Sequence, residues 1–234
     1  MGNSFVEALQ LLLSGDRELY MITFNSLHFA VASTLCAASL GIPGGLLLAF
    51  REFPGKRAVV ATSHTLMGLP TVVVGLLVYG FLSRSGPLGS LGLMFSPAAI
   101  IIGQSILGLP IVLSLVYGGL SRIEPELAET LTMFGAGPRQ RAWKIILEGR
   151  VAVATAVLSC FGRVIGEVGV AMMLGGNIRW YTRTITTAMA LETAKGAFSL
   201  SIALGIILLA VAFGVNFSMN YVIRFRPIPG ARRA

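Results

Sequence analysis

The sequence predicts an all-α polytopic membrane protein, and three observations carry that prediction. Of 234 residues, 55% are apolar and only 12% are charged. A domain folded in water carries roughly 25% charged residues. Mean hydropathy is +0.81. The apolar residues also gather into runs of about 20 or more, the length a helix needs to cross the hydrocarbon. Glycine and proline recur inside those runs, as helices packed against one another in lipid allow.

Residues 1–20, "MGNSFVEALQLLLSGDRELY", have neither a basic start nor a long apolar core. They are expected as a short interfacial helix rather than a signal peptide, with Phe5, Leu9, Leu12 and Leu13 at helical spacing. No charge falls between Glu18 and Arg51, which sets the first span at about 21–50. "REFPGKR" is a tight polar turn, and the charge-free run from Arg57 to Arg84 holds the second span, about 58–82. A Gly/Pro-rich loop leads to the third span, about 98–120. A polar stretch, 121–149, follows. The fourth span, about 151–174, contains Arg163 and Glu167. A second polar insertion, 175–197, precedes the fifth span at about 198–223 and a basic tail. The whole chain, 1–234, reads as one membrane domain.

Five spans place the two ends on opposite sides. One side then holds twelve Lys and Arg residues, among them Arg139, Arg141 and the tail's Arg226, and the other holds five. By the positive-inside rule the richer side is cytoplasmic. The 121–149 stretch is therefore expected in the cytoplasm, with the N-terminus outside and the C-terminus inside. The same rule explains the net charge of +8. No lysine-rich face or arginine tract forms, so nucleic acid is not an expected partner.

Cys36 and Cys160 lie in apolar runs without metal spacing, and His28 and His64 are far apart. No metal site is expected. No Walker-type phosphate loop occurs either, so the chain is not expected to hydrolyse ATP. No internal repeat supports an inverted-repeat carrier. The glycines and prolines within the spans, such as Gly68, Pro70, Gly108 and Pro110, fit ordinary close packing or bent helices around a gated pathway.

The 121–149 stretch reads as helix, corner, helix. Pro125 suits the first position of a helix. Leu127, Leu131 and Phe134 follow at i, i+4, i+7 as one apolar stripe, with Glu126 and Glu129 on a polar side. Gly135 ends that helix, and Gly137-Pro138 starts the next. By periodicity alone this is a docking element or a plain connector between spans. Arg163 and Glu167, four apart, share a helix face. A charge at mid-membrane costs on the order of 3 kcal/mol, so the pair is expected to face protein or water.

"ELAETLTMFGAGPRQRAWKIIL" resembles the EAA loop of ABC transporter permeases. Glu129 stands at that motif's Glu, Gly135 at its Gly, and Ile145 with Leu147 at its close. Thr130-Leu131 replaces the usual small pair, and Glu148 replaces the final Pro. The segments "GLPTVVVGLLVYGFLSRSGPLG", "FSPAAIIIGQSILGLPIV" and "FGRVIGEVGVAMMLGGNIRWYTRTITTAMALETAKG" extend the likeness over nearly the whole chain, toward the tungstate and molybdate uptake permeases. The last of these favours the tungstate branch.

The resemblance implies a type I ABC importer transmembrane domain in a bacterial or archaeal plasma membrane, working as a homodimer. Its implied partners are two cytoplasmic ATPase subunits, which bind the ATP and Mg, and an extracytoplasmic oxyanion-binding protein; this chain needs no cofactor. The implied ATPase-coupling residues are Glu126, Leu127, Glu129, Leu131, Phe134, Gly135, Arg139 and Arg141. Leu127, Leu131 and Phe134 serve as apolar anchors, and Glu129, Arg139 and Arg141 as rim contacts. Arg163 and Glu167 are expected as a gate or a structural pair. Arg179 and Arg183, with Lys195 and Thr182, Thr184, Thr186 and Thr187, are expected to meet the oxyanion at the outer mouth or to form scaffold. Molybdate or sulfate permeases and an ion-coupled secondary carrier are the alternatives.

Overall fold

The computed structural model describes residues 2–224, apart from the side chains at 2, 3, 124–126, 128, 138, 142 and 222–224. The basic tail lies outside the described residues. The elements are α1 (Gly2–Leu13), α2 (Arg17–Phe50), α3 (Lys56–Leu66), α4 (Thr71–Leu82), a 3-10 turn (Gly89–Leu91), α5 (Pro97–Met133), α6 (Pro138–Glu148), α7 (Arg150–Ile165), α8 (Gly169–Gly175), α9 (Ile185–Ala194) and α10 (Phe198–Arg224). No strand occurs among the described residues.

The long helices begin where side chains satisfy their first amides. Asp16 accepts from the Leu19 N–H at 2.9 Å to open α2. Ser96 accepts from the Ala99 N–H, with Pro97 at the first position of α5. By length and apolarity, α2, the Pro97–Ile123 part of α5, and α10 can each cross a membrane, and counting bent helix pairs as single crossings raises the number to five.

Three expectations are corrected. The second span is two helices, because the chain turns by 104° between α3 and α4 at residues 67–70. The fourth span stops at Ile165 and resumes at Gly169, so Glu167 lies in a break rather than on a continuous helix. No helix starts at Pro125: α5 runs through it for 37 residues, joining the third span to the first half of the polar stretch. At 1.5 Å per residue that is about 55 Å, nearly twice the hydrocarbon thickness. The short N-terminal helix forms as α1; it packs on α10 through Ala8, Leu11 and Leu12, while Phe5, Leu9 and Leu13 point outward.

The core is the contact of α2, α5 and α7, and small residues make it close. A Cβ at Gly45 would sit 2.7 Å from Val116 Cβ, and one at Gly108 would sit 2.6 Å from Cys160 Sγ. Between helices in lipid the association rests on such packing, since the solvent offers no hydrophobic drive. Gly45→Leu should therefore push α2 off α5. Overpacking of this kind costs about 1–3 kcal/mol, and a lowered Tm of the detergent-purified chain would register it.

Candidate functional site

Three places carry polar or exposed groups that packing alone does not require. The first is the tip where α5 meets α6. Gly135 has φ +73°, the left-handed region that favours glycine. The Gly135 N–H donates to Thr132 O and the Ala136 N–H to Leu131 O, both at 3.0 Å. This is a Schellman closure, and it satisfies two carbonyls that the helix end would otherwise leave open. Gln140 Oε1 then accepts from the Gly137 N–H at 3.0 Å, starting α6. Arg141 Nη1 donates to Thr132 Oγ1 at 3.0 Å, which ties α6 back to the end of α5.

The tip holds its apolar side chains out. Met133 is 86% exposed, Phe134 83% and Trp143 62%. Sequence spacing named Phe134 but missed Met133 and Trp143. Of the other predicted anchors, Leu127 packs against the core and Leu131 is half-buried. The stripe thus divides: its lower part fastens α5 to the protein and only its end is presented. Glu129 and Arg139 are exposed beside the tip, and Arg141 is occupied by Thr132. The Glu126 side chain lies outside those described. Gly135 has open space where a Cβ would stand, so its own fold demands glycine only for the backbone angle.

The second place is the break between α7 and α8. Arg163, in the last turn of α7, reaches across it to Glu167, with Nη1 to Oε2 at 2.6 Å. Glu167 is 4% exposed and the Arg163 side chain 40%. The other carboxylate oxygen accepts from the Gly169 N–H at 2.9 Å, so Glu167 also caps α8. Thr186 Oγ1 donates to the Glu167 carbonyl at 2.7 Å. The break lies against the other one: a Cβ at Gly169 would come within 3.0 Å of Thr71 Oγ1, at the start of α4. Two interrupted helices therefore meet around one half-buried ion pair. The spacing predicted the pair correctly; that its carboxylate sits in an unwound segment was not legible.

The third place is the insertion after α8. The Arg179 guanidinium grips the Glu18 carboxylate with two donors, and Arg183 Nη1 donates to the same carboxylate at 3.0 Å. The Glu18 hydrogen bond and charge raise the Arg179 pKa above its ordinary value. Arg179 also lies over the Trp180 ring, 5.3 Å from its centroid. Lys195 is paired with Glu192 at 2.9 Å. The threonines are internal: Thr182 donates to Gly175 O, Thr184 caps α9 at the Thr187 N–H, and Thr186 holds the Glu167 carbonyl. Asn25 and Ser26 of α2 bond the backbone of Tyr181, Arg183 and Ile185. Asn25 and Ser26 thus fasten the insertion to α2, and the threonine hydroxyls are spent on backbone and side-chain bonds within 167–187.

Sequence reasoning missed Glu18, the acidic hub of this third place. Glu18→Gln should leave Arg179 unpaired, leave Arg183 only its longer contact with Glu192 at 3.9 Å, and loosen α9 from α2. Faster amide exchange over 177–185 would report it.

Comparison with known proteins follows the same lines. A family model described as a binding-protein-dependent transport system inner membrane component matches residues 41–226. The chain is 41% identical, over 203 residues, to a probable anion ABC transporter permease protein of Haloferax volcanii, covering 85% of this chain and 88% of that one. It is 40% identical, over 215 residues, to the tungstate uptake system permease protein TupB of Campylobacter jejuni, covering 92% and 90%. Among solved structures, an inward-facing methionine ABC transporter, MetNI, superposes with a TM-score of 0.69 at 18% identity, covering 88% and 95%. At that identity the last match speaks for the fold alone.

Proposed function

The chain belongs to the family of binding-protein-dependent transport system inner membrane components, and from that membership we propose that it is the membrane permease of an ATP-driven oxyanion importer, with tungstate as the cargo. The single observation that carries the coupling part is the α5–α6 tip. A rigid glycine turn there presents Met133, Phe134 and Trp143 to solvent. Exposed aromatic and methionine side chains on a stiff corner suit a groove on a partner. The chain has no phosphate loop of its own, so that partner is the ATPase, which binds the ATP and Mg.

The proposed assembly has two copies of this chain, two ATPases and an extracytoplasmic binding protein. Closure of the ATPase pair draws the two tips together, and the break regions turn the pathway from inward-facing to outward-facing. In this reading the tip is cytoplasmic and the Glu18–Arg179–Arg183 cluster is outside. The Arg163–Glu167 pair is the gate element: Glu167 holds the start of α8, and Arg163, part exposed, faces the route. Arg179 and Arg183 hold the outer insertion in place, because both are already engaged by Glu18. The tungstate assignment rests on the relatives' names, which a TupB likeness at 40% identity over most of both chains supports.

Reconstitution in liposomes with the ATPase and binding protein tests the proposal. Uptake of tungstate should require ATP and the binding protein, and molybdate or sulfate should compete poorly. A preference for molybdate would overturn the substrate, and uptake that persists without ATP would overturn the mechanism in favour of an ion-coupled carrier.

A further inference from the structure

We propose that a cavity of about 460 Å3 between α3, α5 and the α6–α7 junction is the exit station of the transported oxyanion, with Arg122 as its anion contact and Glu148 as a built-in competitor that expels it. The proposal rests on the permease reading above. His28, His64 and Glu148 have no role assigned by the sequence, and the fold brings two of them, His64 and Glu148, to one cavity. Its walls come from α3, α5 and the α6–α7 junction, and its polar residues are His64, Ser114, Arg122, Glu148 and Thr155. The rest of the lining is aliphatic or glycine.

Three observations make this an anion site rather than a packing defect. Arg122 is exposed into the space and has no carboxylate within 4 Å among the described residues. An arginine left without a carboxylate needs water or an anion to meet its charge. The second is His64, which is exposed on α3 and lines the same cavity. The third is size. Water occupies about 30 Å3 in the liquid, so the cavity admits a tetrahedral oxyanion with part of its hydration. Ser114 Oγ donates to Ser63 Oγ at 3.1 Å and fixes α3 to α5 at the back of the space.

Glu148 gives the site its direction. A pathway must hold its ion weakly enough to release it. An arginine in an aliphatic cavity would hold a dianion too well, because low dielectric strengthens the attraction. A carboxylate on the same cavity repels the dianion and competes for Arg122. Glu148 is also the last residue of α6, whereas Arg122 is on α5. Whatever the ATPase does to α6 therefore changes the separation of the competitor from the anion contact.

The test uses the permease assembled with its ATPase in lipid nanodiscs, without binding protein or nucleotide, and reads bound tungstate by equilibrium dialysis. Glu148→Gln keeps the shape and removes the charge; it should bind tungstate about tenfold tighter. Arg122→Gln should bind about tenfold more weakly, the scale of losing a charged hydrogen bond. Arg122→Lys keeps the cation and should retain most of the binding, which separates charge loss from misfolding. In the double variant Arg122→Gln/Glu148→Gln the gain should vanish. Unchanged binding in both single variants, in complexes that still import tungstate, overturns the exit station and leaves the permease reading intact. Failure of the wild-type complex to import tungstate with ATP and binding protein overturns the permease reading itself.

Discussion

A Phe134→Asp chain should lose its ATPase. Phe134 is 83% exposed at the end of α5, next to Met133 at 86%. Nothing in its own protomer is gained by holding an aromatic ring in water, so the substitution should leave the permease folded. At a docking surface the same change removes an apolar anchor and inserts a charge. Losing such an anchor costs 2 kcal/mol or more, which is roughly 30-fold in affinity. Co-purification from detergent should yield permease without ATPase, and uptake should fall in parallel. Gly135 separates fold from fit at the same corner. Gly135→Ala meets open space and carries only the left-handed backbone penalty, about 1 kcal/mol. Gly135→Trp adds bulk on the presented side and should abolish coupling as well. Equal effects of the two would mean that no partner approaches the corner.

Glu167→Gln is expected to be the second most damaging change, and Glu167→Ala worse. Glu167 serves Arg163 with one oxygen and the Gly169 N–H with the other. Glutamine can still cap α8 but cannot neutralise the arginine; alanine does neither. Breaking a buried pair by removing one partner costs about 3–5 kcal/mol, and the part exposure of Arg163 places this pair toward the low end. The readout that distinguishes a gate from a brace is uncoupling. Basal ATP hydrolysis of the assembled transporter should persist in Glu167→Gln while tungstate uptake is lost. If hydrolysis and uptake fall together with the Tm, the pair is a brace only.

Much of this was legible before any coordinates. Four of the five expected crossings follow from charge-free runs; the bounds of the first and fifth fall close to the ends of α2 and α10, whereas the third shares only its start with α5. The Gly135 corner follows from the chemistry of helix ends, and the Arg163–Glu167 pair from spacing. What failed were expectations that needed neighbours. Pro125 is a helix starter only if the preceding turn does not continue, and here it does. The insertion's cations looked free for an anion because Glu18, some 160 positions earlier, stood in no sequence relation to them. Leu127 and Phe134 lie on one stripe, yet one is covered by core and the other by nothing.

The sequence by itself determined that the chain is helical, that it belongs in lipid, and where its polar corner turns, because those properties depend on local composition and on hydrogen bonds within a few residues. The tertiary structure alone decided which helices break. The tripeptide Gly-Leu-Pro occurs twice, at 68–70 and at 108–110. At 68–70 the chain turns by 104°; at 108–110 it stays inside α5. Proline removes the same hydrogen bond in both. At Gly108, however, Cys160 and Ala37 close in from α7 and α2, whereas Gly68 meets only its own Thr65 carbonyl. Packing on both sides holds the one helix straight, and its absence leaves the other free to bend.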